Sequence, residues 1–279
     1  MTSLPAATSA TRNSRPQTSL TVLRREELSP HMVRIIAGGE GFSSYTNNAF
    51  VDRYVKIAFP QPGVAYPEPL DLWTVRETMP REQWPHTRTY TVRWVDETAR
   101  ELAIDFVIHG DEGLAGPWAA AAAPGDTIIF TGPGGGYNPD RAVDWYLFAG
   151  DEAALPAIAA AVESLPPEAL GKAYLEVDSD ADIQAVAAPV GIELNWLLRR
   201  GTPAGSSELL VDAVRNGEWL DGRVQVFAHG ERGYMKALRD VFFVQRGLER
   251  SQVSLSGYWA KGRVEDDFQA EKQLPIGKI

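Results

Sequence analysis

The chain of 279 residues contains no cysteine. That excludes disulfides, a thiol nucleophile and any iron–sulfur cluster held by its own thiolates, so redox chemistry here needs an organic cofactor or an external ligand set. Positive charge is also short. Lysine and arginine number 27 against 37 acidic residues, for a formal charge of −10. Such a balance argues against general nucleic-acid binding, which relies on a positive footprint. No apolar run approaches the roughly 20 residues that span a bilayer, so no stable membrane insertion is expected. The opening stretch lacks the apolar core of a secretory signal and is rich in Ala, Thr, Ser, Pro and Arg. Residues 1–19 are therefore expected to be a disordered leader, and the chain to be cytoplasmic.

What is present falls into two rhythms. Residues 20–25, 32–37, 54–59, 89–94, 102–108 and 126–131 are short β-rich runs broken by turn residues. Six such runs predict an antiparallel β-barrel over residues 20–139. The proline-rich stretch between Pro60 and His86 reads as an extended excursion. Pro117 suits the first position of a short helix that Pro124-Gly125-Asp126 stops. After the glycines at 132 and 134–136, which read as a barrel-ending linker, strands alternate with helices. Strands are expected at 144–149, 173–177, within 191–198, at 223–228 and at 252–259, with helices at 153–165, 209–214 and 232–245. This alternation predicts an α/β domain with a mainly parallel sheet over residues 140–279. Ligands of such sheets bind beyond the carboxyl ends of the strands, which puts Gly150-Asp151-Glu152 and His229-Gly230-Glu231 on one rim. No Gly-x-Gly-x-x-Gly follows the first of these strands, so the standard dinucleotide fingerprint is missing.

Three segments carry the chemistry. Arg88-Thr89-Tyr90-Thr91-Val92-Arg93 sets a cation and an aromatic on one strand, and alternation puts Arg88 and Tyr90 on the same face. Asp105-Phe106-Val107-Ile108-His109 is a second strand. Gly113-Leu114-Ala115-Gly116-Pro117-Trp118-Ala119 is a glycine-bearing turn that opens a helix, whose free N–H groups and partial positive charge suit a pyrophosphate. Each has a plain structural reading too: a loop before a small helix, a satisfied strand histidine at His109, a barrel-edge lysine at Lys56.

Together these segments resemble the siderophore-interacting proteins, a branch of the ferredoxin-reductase-like flavoproteins. Arg88, Tyr90, Thr91 and Arg93 meet the family's Arg-x-Tyr-Thr-x-Arg stretch, and Asp105, Phe106, Val107 and His109 its Asp-Phe-Val-x-His strand. Gly113, Ala115, Trp118 and Ala119 meet its turn, residues 150–158 its Gly-Asp-Glu-x-Ala-Leu-Pro-Ala-Ile segment, and residues 257–262 its Gly-Tyr-Trp-x-x-Gly. The match runs from about Leu20 to about Asp267.

The resemblance implies FAD in the barrel, with Arg88 at the pyrophosphate, Tyr90 on the isoalloxazine and Thr91 near its reactive nitrogen. Thr89, Asp105, Val107, His109, Gly113, Leu114, Ala115, Gly116, Trp118 and Ala119 complete the implied cofactor site. Asp151, Glu152, Ala154, His229 and Glu231 fall on the electron-donor side, and Lys56, Lys261 and Arg263 on the side of an anionic ferric siderophore. The implied enzyme is an oxidoreductase: reduced flavin passes electrons to the ferric siderophore and ferrous iron is released. No catalytic acid or base and no resident metal is implied.

The donor is NADH, NADPH or a reduced ferredoxin; the acidic surface disfavours an acidic ferredoxin. Several residues depart from the family pattern: Leu114, Pro117, Ala153, Phe227 and His229, the last where a small residue is usual. Two other readings stay open, an NAD(P)H-dependent flavin reductase with another acceptor and a non-catalytic siderophore-binding protein.

Overall fold

The computed structural model describes residues 16–108 and 113–279. Strands β1 (Gln17–Ser29), β2 (Met32–Gly38), β3 (Tyr54–Phe59), β4 (His86–Asp96), β5 (Glu101–Val107) and β6 (Thr127–Gly134) close into an antiparallel barrel. Their order around it is β1-β2-β5-β4-β3-β6. The expected β-rich runs form the strands, each a little longer than its apolar stretch. Strand β1 begins at Gln17, inside the expected leader, because Gln17 to Thr21 pair with Thr131 to Thr127 of β6. Inward side chains such as Val22, Ile35, Val55, Leu102, Ile104 and Phe130 fill the interior. Closure leaves no unpaired sheet edge.

The excursion between β3 and β4 is not simply extended. It contains helix α1 (Leu72–Thr78), started by Asp71, whose carboxylate accepts from the Trp73 N–H at 2.9 Å and the Thr74 hydroxyl at 2.9 Å. The next helix, α2 (Ala115–Ala121), begins two residues before Pro117. Proline is tolerated there because its missing N–H lies within the first turn, where no intrahelical partner exists anyway.

The second domain has strands β7 (Trp145–Gly150), β8 (Gly171–Val177), β9 (Ile192–Leu198), β10 (Val224–Glu231) and β11 (Val253–Trp259). All five are parallel, in the order β11-β10-β7-β8-β9. Helix α3 (Leu155–Glu163) covers one face, where Phe148, Ile158, Val162 and Phe227 form a core that also reaches Met32 and Tyr137. Helices α4 (Leu209–Asn216) and α5 (Arg232–Asp240) cover the other with Leu210, Met235, Leu238 and Phe242. The sheet is extended in one direction from β7 to β8 and β9 and in the other from β7 to β10 and β11, so the crevice at the carboxyl ends of β7 and β10 is the switch point where such sheets bind ligands.

A further helix, α6 (Glu265–Glu271), follows β11 and returns to the barrel. Nothing in the sequence reading anticipated it. Arg93 of β4 also ties the domains together, donating to Glu163 of α3 at 2.7 and 2.6 Å.

Candidate functional site between the barrel and the parallel sheet

On β4, alternation sends Tyr90 towards the barrel interior, where its ring lies 4.4 Å from Phe106; Trp118 of α2 lies 5.6 Å from Phe106 and 5.9 Å from Phe59. Burial pushes the Tyr90 hydroxyl up, out of reach of ionisation. Arg88, two residues back, points its guanidinium to the barrel surface, where Asp266 of α6 lies at 3.3 and 3.5 Å. His86 Nδ1 meets the same carboxylate at 3.4 Å. These are long, partly exposed contacts, the kind an anionic ligand can displace.

Thr89 is exposed on the opposite face, paired across to Lys56. Thr91, on that face too, is buried. Asp105 is committed elsewhere: its carboxylate receives Arg34 at 2.6 and 2.8 Å and stands 4.0 Å from Arg93. Its place is under the barrel wall as the anion of a buried cluster. Val107 ends β5 against the second domain's core, and His109 lies outside the described residues.

Leu114 precedes helix α2 with no side-chain cap, and Gly113 takes φ +82° with open space where a Cβ would stand. Ala115, Gly116 and Ala119 are buried, and a Cβ on Gly116 would come within 3.2 Å of the Val107 carbonyl. Arg88, the turn into α2 and the half-buried Tyr90 suit a flavin dinucleotide: a cation and backbone N–H groups for phosphate, an aromatic for the ring.

Across the crevice the charged groups are buried and tightly bonded. Asp151 accepts from the Glu231 N–H and the Trp259 indole N–H, both at 2.8 Å. Burial, then the neighbouring Glu152, raises its carboxyl to about 7. Gly230, at φ +146°, is what lets Asp151 sit there, because a Cβ would fall 2.8 Å from its Oδ2. Glu231 accepts from the backbone N–H groups of Tyr234 and Lys261, at 3.0 and 3.1 Å. Glu152 pairs with Arg199, with contacts of 2.7 and 2.8 Å. Arg199 also neighbours Glu176, whose carboxylate takes the Ser207 hydroxyl at 2.6 Å. Ala154 is fully buried at the entrance to α3. Asp151, Glu152, His229 and Glu231 stand at the carboxyl ends of β7 and β10, with Ala154 following at the start of α3.

His229 is 4% exposed, and burial lowers its imidazole to about 3, so it is neutral. Its Nδ1 lies 3.0 Å from the Tyr258 hydroxyl and its Nε2 3.0 Å from Ser254.

The three cations expected on the substrate side separate. Lys56 lines a shallow depression of about 240 Å³ with Tyr54, Arg76 and Thr131. Lys272, at the end of α6, is close enough to Lys56 for the two charges to repel, and its ammonium packs over the Phe268 ring at 4.6 Å. Lys261 instead bonds Ser206, and Arg263 pairs with Glu271 at 2.7 Å. Arg76, Lys272, Asp266, Arg199 and Tyr258 were missing from the expected site. Tyr258 stood in the Gly-Tyr-Trp segment and could have been found there; the others carry no local motif. No helix among the described residues is long and apolar enough to cross a membrane.

With this geometry established, relatives are informative. A family model for the siderophore-interacting FAD-binding domain matches residues 21–137, and one for the siderophore-interacting protein matches residues 143–262. The NADPH-dependent ferric-chelate reductase of Escherichia coli is 31% identical over 267 residues, covering 93% of this chain and 99% of its own. The ferric vibriobactin reductase of Vibrio cholerae is 29% identical over 260 residues, covering 91% of this chain and 93% of its own. The crystal structure of a siderophore utilization protein from T. fusca superposes with a TM-score of 0.77 at 36% identity, over 90% of this chain and 96% of that one. A ferredoxin NADP+ reductase from Neisseria gonorrhoeae, with a TM-score of 0.63 at 13% identity, shares the fold.

Proposed function

This chain belongs to the siderophore-interacting protein family, and from that premise we propose that it is an FAD-dependent ferric-siderophore reductase using NADH or NADPH. An oxidoreductase of siderophore-related flavin type is the coarser statement that the relatives support. What supports the finer reading is a cation, Arg88, held only by long contacts to Asp266, together with the turn into α2 in the barrel and a switch-point crevice in the second domain. When bound, FAD supplies the redox chemistry, taking an electron pair from a nicotinamide and delivering single electrons to a ferric chelate.

The chain's residues do the rest. Arg88 would exchange Asp266 for the pyrophosphate, and Gly113 would let the backbone approach it, while Gly116 lets α2 pack against the end of β5. Tyr90 forms an apolar wall for the ring and Thr91 holds its polar edge. Asp151, Glu231 and Trp259 shape the rim on which the donor lies. Lys56, with Arg76 and Lys272 near it, forms a basic wall that attracts an anionic chelate to a molecule otherwise negatively charged.

The test is steady-state oxidation of NADH and of NADPH by the FAD-loaded protein, with ferric desferrioxamine as acceptor and a ferrous chelator as trap. Nicotinamide consumption matched by ferrous complex, two irons per nicotinamide, supports the reading. Nicotinamide consumption without trapped iron points to another acceptor.

A further inference from the structure

The turn between β1 and β2 carries His31 of the barrel across to the second domain. The His31 carbonyl accepts the Ile108 N–H at 2.8 Å and its own N–H donates to Ser29 Oγ at 3.2 Å, so the hairpin tip is held in place. Its Nδ1 lies 2.9 Å from Oδ1 of Asp182, in the loop that follows β8. Asp182 is 2% exposed, and its other oxygen takes the Ser179 N–H at 3.1 Å and the Ser179 hydroxyl at 2.8 Å. That fixes Oδ1 towards the histidine. Asp178, the first residue after β8, completes a set of three: one ligating atom from each of His31, Asp178 and Asp182 lies within 4.8 Å of the other two. Among the described residues no other such set of His, Asp or Glu side chains converges.

A hydrogen bond between His31 and Asp182 accounts for two members and leaves the third. Asp178 takes the Gly201 N–H at 3.0 Å, and its nearest cation among the described residues is Arg199 at 4.0 Å. That guanidinium is already answered by Glu152 at 2.7 Å and Glu176 at 3.7 Å. Along this edge Glu152, Glu176, Asp178 and Asp182 thus set four carboxylates against one guanidinium. Burial makes such an excess costly, and a cation beside Asp178 and Asp182 would balance it.

We propose that His31, Asp178 and Asp182 bind a divalent first-row cation, Mn²⁺, Fe²⁺, Co²⁺ or Zn²⁺, and that the bound ion clips the barrel to the second domain. One imidazole nitrogen with two carboxylate oxygens suits these ions. It lacks the soft sulfurs that select Cu(I) and the six or more oxygens that Ca²⁺ takes. Neutral His31 with its hydrogen on Nε2 presents the Nδ1 lone pair, and the ion takes the place of the hydrogen shared between Nδ1 and Oδ1. Ligand atoms bonded to such an ion at about 2.0–2.2 Å stand roughly 3–3.5 Å apart, so small side-chain rotations close the set. The His31 and Asp178 side chains are 40% and 27% exposed, which leaves an entry path and room for water at the remaining positions. The site does not depend on the flavin reading above; under that reading ferrous iron is a product and belongs to the same class of ion.

The test uses the full chain, stripped with a chelator and free of FAD. It is titrated with Co²⁺, whose visible bands report its ligands, and then with Zn²⁺ in competition. One equivalent of Co²⁺ is expected to bind and to be displaced by Zn²⁺, and Zn²⁺ should raise the midpoint of thermal unfolding by a few degrees. His31→Ala and Asp178→Asn lie outside the packed cores and should keep the native circular dichroism spectrum. Each should weaken Co²⁺ binding by about tenfold or more and abolish the thermal shift. His86→Ala removes the other histidine that pairs with an aspartate and should bind as the wild type does.

No saturable binding of Co²⁺ or Zn²⁺ by the wild type would overturn the site, as would one-equivalent binding that both variants retain. Binding lost in the variants without a thermal shift in the wild type would overturn the clip. Because no FAD, nicotinamide or siderophore enters the titration, failure of the reductase reading would leave this result standing.

Discussion

The barrel cradle and the sheet crevice hold their charges in opposite ways. At the cradle, Arg88 reaches Asp266 over 3.3 to 3.5 Å at a partly open surface. In the crevice, Glu152, Arg199, Glu176, Asp151 and Glu231 are each less than a tenth exposed, with contacts mostly of 2.6 to 3.1 Å. A loosely paired cation can trade its partner for a phosphate at little cost. A buried pair cannot, and its value lies in fixing geometry. The difference separates residues that meet ligands from residues that shape the place where ligands sit.

The largest expected effect lies in the crevice. Arg199→Leu leaves Glu152 and Glu176 buried without a cation and should cost about 3–5 kcal/mol of stability, read as a shifted urea midpoint. Equal loss from Arg88→Leu would erase the contrast.

Next is a pH effect. The Asp151 carboxyl is raised above its unfolded value to about 7. Its contribution is therefore fully present below about pH 4, where the group is protonated in both states, and is lost as pH rises towards 7. Asp151→Asn keeps an acceptor for Trp259 and Glu231 and should flatten the stability profile between about pH 4 and 7. An unchanged slope in that window would mean that Asp151 is not the group responsible.

Smaller again is the cradle. Arg88→Ala should weaken FAD binding by about 1.5–3 kcal/mol, the range for a charge-assisted bond, with the fold intact by circular dichroism. Asp266→Asn frees the same arginine and should tighten FAD binding modestly, measured by flavin fluorescence quenching. Loosened binding in Asp266→Asn would make the aspartate part of the cradle rather than its competitor.

The smallest effect belongs to the basic wall. Lys56→Ala should raise the KM for ferric desferriferrichrome or another hydroxamate complex only a few-fold, and the difference should shrink with added salt. A change in kcat alone would place Lys56 in electron transfer instead of attraction.

How much of this was legible beforehand follows the same division. Period-two burial runs along strands such as residues 17–22 and 127–134 because a closed barrel buries one face of each, and continuous apolar runs such as residues 145–150 mark strands covered on both faces. Helix α1 was hidden by surrounding prolines; its signal was Asp71 three residues before Thr74, a weak cue against that composition. The start of α2 was misjudged because Pro117 sits inside the first turn rather than at its first position. The rim residues were legible as strand ends. Asp266 and Lys272 were not, because a contact made by α6 folding back over β4 leaves no local pattern in either segment. The contact between Tyr258 and His229 likewise joins two strands, β11 and β10, and leaves no local pattern in either. Only the unusual histidine gave notice of it.

The most direct measurement of the central claim is anaerobic: the visible spectrum of the FAD-loaded, photoreduced protein before and after one addition of a ferric siderophore, with a ferrous chelator present. The account predicts rapid return of the oxidised flavin bands together with the colour of the trapped ferrous complex. Flavin that stays reduced beside an intact ferric complex would contradict it.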